Sequence, residues 1–261
     1  MSVDGAAVFA ARLTQWQQWQ QAPWGRIRYA VAAANLARHV PAGRVLRVLD
    51  VGGGNGGDAL GLAASGHHVT VLDSSPAMLA DAEKEFAAAG LADLLSTECG
   101  DATEMVVGGE YDLVLCHALL PYVEDPQGLL TRCVRAVRPG GLLSVLSGNA
   151  DAQPLRLAVR ELDLAGARAA IGAGLRRTEV FDTDFRQYTP TEVMRMLELL
   201  HANVAGFYGI RSVCDLITDE DRKAEPGFFA ELLELELALA ARMPYPWTAG
   251  LFHLIASPSA A

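Results

Sequence analysis

The stretch Arg47-Val48-Leu49-Asp50-Val51-Gly52-Gly53-Gly54-Asn55-Gly56-Gly57-Asp58 decides how the rest of the chain is read. Its apolar half predicts a short buried strand carrying a carboxylate, Asp50, near its end. Five glycines interrupted by Asn55 follow, and an Ala/Leu-rich helix opens at Asp58. Glycines there permit positive φ and let a ligand approach the backbone, which a Cβ would obstruct. The helix start adds unpaired N–H groups and a positive dipole end, suited to an anionic or carboxylate-bearing ligand. The stretch reads as a nucleotide-cofactor loop.

Two cofactor classes fit it. Gly52, Gly54 and Gly57 satisfy G-x-G-x-x-G, and Asp73 lies about 20 residues on, as a dinucleotide fold requires. That spacing allows a nucleotide-dependent oxidoreductase, or a cofactor-binding protein without catalysis. Asp50 points elsewhere. A carboxylate ahead of the glycines can face an α-ammonium group such as that of S-adenosyl-L-methionine, whereas a pyrophosphate would repel it.

Composition narrows the setting. The chain has 261 residues, room for one α/β domain with additions. Hydrophobic residues make up 51% and charged residues 20%, an ordinary globular balance. No apolar run reaches the ~18 residues of a membrane span, and Met1–Gln21 lacks a signal-peptide core, so a cytoplasmic protein without membrane partners is expected. Cys99, Cys116, Cys133 and Cys214 are scattered and read as buried thiols, with no metal site. The net charge of −10 disfavours general affinity for nucleic acid but permits a local basic patch. Ser257 to Ala261 reads as a frayed tail.

Outward from the glycine loop, residues 1–43 predict two helices split at Pro23 and Gly25. The first carries an apolar stripe of Val8, Leu13, Trp16 and Trp19, and the second runs from Ile27 to Arg38. The tryptophans, Trp24 included, read as core or lid. Arg28 can reach a cofactor carboxylate or remain a solvated helix arginine. After the loop, His67–Asp73 predicts the second strand, with His67 and His68 at its exposed start. Asp73, at its end, can accept both ribose hydroxyls of an adenosine. The Ser74-Ser75-Pro76 turn starts the next helix, with Met78 just inside. Leu94–Cys99 predicts a third strand followed by Gly100-Asp101-Ala102, where a carboxylate can accept from an adenine amino group beside a small residue. Tyr111–His117 reads as a doubly buried fourth strand, and Leu142–Ser147 as the fifth.

The pattern is α/β, with a doubly wound parallel sheet and helices on both faces. From Asn149 to Gln187 it gives way to a helical, irregular insertion of the kind that builds acceptor caps. Tyr188-Thr189-Pro190-Thr191 caps a helix over Glu192–Leu200. Val204–Val213 and Leu251–Ala256 close the sheet around a helix over Gly227–Arg242. Four units result: an N-terminal helical lid (1–43), a cofactor-binding core (44–148), an insertion or acceptor cap (149–187) and the completion of the sheet (188–256).

Val48-Leu49-Asp50-Val51-Gly52-Gly53-Gly54, Asp73, Gly100-Asp101-Ala102, Tyr111-Asp112-Leu113-Val114 and Arg138-Pro139-Gly140-Gly141 occur in an order that resembles the class I S-adenosylmethionine-dependent methyltransferases. The resemblance implies a Rossmann-like, seven-stranded sheet with an antiparallel last strand. It also implies that Asp50, Gly52, Gly53, Gly54, Asp73, Ser74, Met78, Gly100, Asp101 and Ala102 hold the cofactor. Further pieces resemble the bacterial tRNA 5-carboxymethoxyuridine methyltransferase family. They are Gly25-Arg26-Ile27-Arg28, Ser65-Gly66-His67, Leu115-Cys116-His117-Ala118-Leu119, Gly148-Asn149-Ala150, Gly209-Ile210-Arg211 and Leu232-Leu233-Glu234-Leu235-Glu236. This likeness implies that Arg28 and His117 line the cofactor site and that Arg211 meets an acidic acceptor. The family's insertion carries a dense basic cluster, where this chain offers Arg168, Arg176 and Arg177, followed by Glu179, Asp182 and Asp184. The acceptor is therefore expected to be either a modified tRNA uridine or an acidic small molecule.

Methyl transfer is chiefly a positioning problem. A carboxylate acceptor is already anionic and needs no base. For a phenol or amine acceptor, His117 is the first candidate base. Arg211 can grip a carboxylate through two parallel hydrogen bonds, or form a surface salt bridge.

Overall fold

The computed structural model describes residues 13–41, 43–106, 108–178 and 183–259. A seven-stranded sheet in the order β3-β2-β1-β4-β5-β9-β8 forms its centre. The first five strands are β1 (Arg47–Val51), β2 (His68–Asp73), β3 (Leu95–Cys99), β4 (Tyr111–His117) and β5 (Val137–Gly148). These five run parallel to one another. The antiparallel pair β8 (Ala202–Ile210) and β9 (Leu251–Pro258) completes the sheet, β9 lying antiparallel to β5. The strand order turns back at β1 and β4, and ligands of open α/β sheets bind in the crevice that opens there.

Alternation along each strand divides the core between the two faces. Leu49, Val51, Val114, Cys116, Leu143 and Val145 pack on one side. They lie against Leu129, Leu130 and Cys133 of the helix Pro126–Ala136 and Val193 and Leu197 of the helix Pro190–Leu199. Val48, Leu113, Leu115 and Ile255 pack on the other side, against Leu36, Ala59, Leu79 and Phe86. These last come from α2 (Pro23–Ala37), α3 (Gly57–Ala64) and α4 (Pro76–Ala88). A shorter helix, α1 (Leu13–Gln21), precedes them.

Several elements differ from expectation. The insertion is only partly helical, because Leu175–Thr178 and Thr183–Arg186 pair as an antiparallel hairpin separate from the main sheet. Its helices are α6 (Gln153–Arg160) and α7 (Leu164–Ala170), numbered after α5 (Pro126–Ala136). β9 continues through Ser257 and Pro258, since β8 supplies partners that far. His67 is buried, its Nδ1 facing the backbone N–H of Leu46 at 3.3 Å, because the strand starts one residue later. Cys99 is exposed, on the edge strand β3, while the other three cysteines are buried. Val8, Glu179 and Asp182 lie outside the described residues. No helix among the described residues is long and apolar enough to cross a membrane.

Candidate active site

The glycine loop is held by backbone geometry. Gly52, Gly54 and Gly56 adopt positive φ (68°, 57° and 74°), a region that costs an L side chain. At Gly53 the reason is space, since a Cβ there would lie 2.6 Å from the Asp50 carboxylate. Asp73 ties the loop to β2. Its Oδ2 accepts the Gly54 N–H at 2.9 Å and its Oδ1 the Ser75 N–H at 2.8 Å. Ser75 caps α4 and Met78 is buried beneath the loop.

This frame opens into a cavity of about 260 Å³. Arg28, Asp50, Gly52, Gly53, Gly54, Asp73, Met78 and His117 all line it, from five separate elements and the loop. Ser74, Gly100, Asp101 and Ala102 line an adjoining narrow crevice that shares Gly52, Asp73 and Leu119 with the main cavity. Arg211 is elsewhere. It follows β8, with φ of 62°, and its Nη2 donates to Asp215 at 2.8 Å.

The cavity also holds residues that sequence reasoning did not assign to it. Trp16 and Trp19 of α1 stack with ring centroids 5.0 Å apart and close one side. Asn55 anchors that helix, accepting from Gln20 at 2.9 Å and donating to Asp81 at 3.1 Å. Asp58, expected only as a helix start, takes Nη1 of Arg28 on its Oδ1 at 2.5 Å and faces Nδ1 of His117 at 3.1 Å. Burial alone would raise the Asp58 carboxyl, but Arg28 and His117 overcome it and hold it well below the usual carboxylate range.

Asp50 is the opposite case. Burial and the neighbouring Asp58 charge push its carboxyl well above the ordinary value, with Arg28 only partly opposing them. Its Oδ2 is buried and has no hydrogen-bond partner among the described residues. Such a group calls for a cation in the cavity. S-adenosyl-L-methionine carries an α-ammonium group, so the donor set fits that cofactor.

Parallel sheet, glycine loop and paired carboxylates at the strand ends define the class: an S-adenosyl-L-methionine-dependent methyltransferase. Comparison with known proteins agrees. Residues 49–145 match the methyltransferase domain family. The tRNA 5-carboxymethoxyuridine methyltransferase of Escherichia coli (strain K12) is 29% identical over 238 residues, which are 89% of this chain and 88% of that protein. An S-adenosylmethionine-dependent methyltransferase from Thermotoga maritima shares the fold with a TM-score of 0.65 at 14% identity, over 97% of this chain and 99% of that one. A geranyl diphosphate C-methyltransferase from Streptomyces coelicolor A3(2), solved with S-adenosyl-L-homocysteine, has a TM-score of 0.59 at 14% identity, covering 90% of this chain and 80% of that one.

Proposed function

We propose that the enzyme esterifies a carboxylate borne on a planar base, with a 5-carboxymethoxyuridine-type nucleoside of tRNA as acceptor. A second cavity, of about 330 Å³, carries this reading. It meets the cofactor cavity at Trp19 and is walled by Trp24 and by four cations, Arg156, Arg160, Arg211 and Lys223. Among the described residues of the lining the acidic ones are Asp215, which pairs with Arg211, and Glu220, which pairs with Arg160 and Lys223, so the cavity is net positive in a chain of charge −10. Aromatic walls suit a base and the cations suit its carboxylate. Arg156 and Arg160 come from α6, which supports the insertion as an acceptor cap.

In this reading Asp50 receives the cofactor's ammonium group and Asp73 its ribose hydroxyls. Arg28 offers the N–H groups not used by Asp58 to the cofactor carboxylate. Asp101 meets the adenine amino group, with Ser74, Met78, Gly100 and Ala102 shaping the ring's slot. Trp16 and Trp19 exclude water. When bound, the cofactor supplies an electrophilic methyl on sulfonium sulfur; transfer forms a C–O bond, breaks the C–S bond, leaves the electron pair on sulfur and releases no proton. Alignment is then the main demand on the protein.

The test is transfer of labelled methyl from S-adenosyl-L-methionine to tRNA containing carboxymethoxyuridine, against tRNA lacking it. Label that mild base releases as methanol is the expected result, because an ester hydrolyses where an N-methyl group does not. Base-stable label would sink the carboxylate assignment. A small acidic molecule is the second reading, favoured by the chain's overall negative charge, which repels nucleic acid. Base-labile transfer to small carboxylates but not to tRNA would establish it instead.

A further inference from the structure

Behind His117 the sheet builds a buried polar row that the cofactor contacts do not require. His117 pairs with Leu146 across β4 and β5, and Leu146 pairs with His253 across β5 and β9. Ser144 lies two residues before Leu146 on β5 and so faces the same side. Its hydroxyl is 2.7 Å from Nε2 of His117 and 2.8 Å from Nε2 of His253. The relative exposures are 6% for His117 and 0% for both Ser144 and His253.

We propose that Ser144 and His253 are positioning residues that fix His117 with its proton on Nδ1, leaving it no free nitrogen to act as a general base. A serine hydroxyl has one proton and two lone pairs; the two ring nitrogens are the partners of this buried hydroxyl among the described residues, so giving its proton an acceptor means donating to one ring and accepting from the other. Both ends of the row select the same order. At one end, Oδ2 of the ionised Asp58 lies 3.1 Å from Nδ1 of His117, off the ring N–H axis. A bare Nδ1 would set its lone pair against that carboxylate, so the proton stands there. Nε2 of His117 then accepts from Ser144, and Ser144 accepts from Nε2–H of His253.

At the other end, Nδ1 of His253 is buried with no partner among the described residues. In the order above it carries only a lone pair. Reversing the row would place an N–H there with nothing to accept it, the costlier arrangement. Burial holds His253 neutral, well below the usual imidazole range.

Among the described residues, the charged and titratable groups that share the cavity wall with His117 are Arg28 and Tyr29 from α2, Asp50 from β1, Asp58 from α3, Asp73 from β2 and Tyr122, with His253 from β9 stacked edge-on against its ring. With Nε2 of His117 committed to Ser144, the site suits an acceptor that arrives already ionised, as carboxylates and other pre-formed anions do. This consequence rests on reading the cavity as the cofactor site.

The ring nitrogens report the order directly. Full-length protein labelled with ¹⁵N-histidine gives long-range ¹H–¹⁵N correlations from its six histidines, assigned with His117→Gln and His253→Gln. The expected pattern is a protonated Nδ1 on His117 and a protonated Nε2 on His253. Ser144→Ala is expected to lose the fixed pattern on both rings, while Ser144→Thr keeps it. A wild-type His117 protonated at Nε2, or ring shifts unmoved in Ser144→Ala, would overturn the proposal. Calorimetry with S-adenosyl-L-methionine on the same sample separates the two readings. Absent binding would remove the consequence for the acceptor, yet the nitrogen pattern would still decide the row.

Discussion

The carboxylate of Glu236 accepts the backbone N–H of Ser212 at 2.8 Å, directly after Arg211. Its other oxygen takes the N–H groups of Val213 and Cys214, both at 2.8 Å, so one fully buried side chain holds the whole turn. Glu236 belongs to the helix Pro226–Leu239, far along the chain from the turn it organises. Glu236→Gln sets an amide N–H against a backbone donor. It is expected to cost about 1–3 kcal/mol in denaturant unfolding. Turnover of the acceptor should fall as Arg211 loses its support, while calorimetric affinity for S-adenosyl-L-methionine stays unchanged. Equal loss of both would mean the turn supports the whole fold.

Asp50→Asn should separate stability from binding. With the Asp50 carboxyl raised by burial and by Asp58, its ionisation opposes folding. The stability it contributes is present below the unfolded pKa and is lost as pH rises through the folded one. Removing the charge at neutral pH is expected to raise the melting temperature of the free protein by about 2–4 °C per kcal/mol recovered. Cofactor affinity should drop, because the ammonium group loses its counter-charge.

The same carboxylate predicts a pH dependence of binding. A bound ammonium group favours ionised Asp50, so wild-type affinity should weaken as pH falls through the raised pKa of the free protein. Calorimetry over a pH series that runs upward from the ordinary carboxylate range until the affinity levels off checks this. Asp50→Asn should flatten the profile, and a wild-type profile that is flat over that window would place the ammonium group elsewhere.

Asp58→Ala strands a buried cation. Arg28 is only 5% exposed, and Asp58 is its ion-pair partner. Breaking a buried pair from one side typically costs about 3–5 kcal/mol, which urea unfolding would register. A change below about 1 kcal/mol, the range of an exposed pair, would show that water reaches Arg28.

Gly53→Ala tests the loop without touching a charge. The new methyl would meet the Asp50 carboxylate, which cannot retreat into a packed strand end. Cofactor affinity is expected to fall at least tenfold, with far-ultraviolet circular dichroism unchanged. Gly61→Ala, on the first helix after the loop and with open space at its Cβ, is the matched control and should bind normally.

Much of the fold was legible because local signals decide it. The short stretches Val48–Val51, with Asp50 among its apolar residues, and Leu113–Cys116 read as buried strands because turn signals bound them, and glycines at 52, 54 and 56 take the positive φ that a sharp strand-to-helix turn needs. The cofactor-side carboxylates stand at strand ends, so order along the chain maps onto position at the crevice. The hairpin at Leu175–Thr178 and Thr183–Arg186 was missed because its short, polar strands lack the apolar alternation that marks a core strand.

Taken alone, the sequence determined the strand and helix segments, the glycine loop and the carboxylates at the strand ends, since each depends on residues close together in the chain. Only the tertiary structure decided which distant groups meet. It brought Arg28 onto Asp58, Glu236 beneath the turn after Arg211, and Ser144 between His117 and His253. These pairings span from 22 to 109 residues, as in Glu236 with Cys214 and Ser144 with His253. No local periodicity encodes them; they follow from strand register and helix packing, which exist only once the chain has folded.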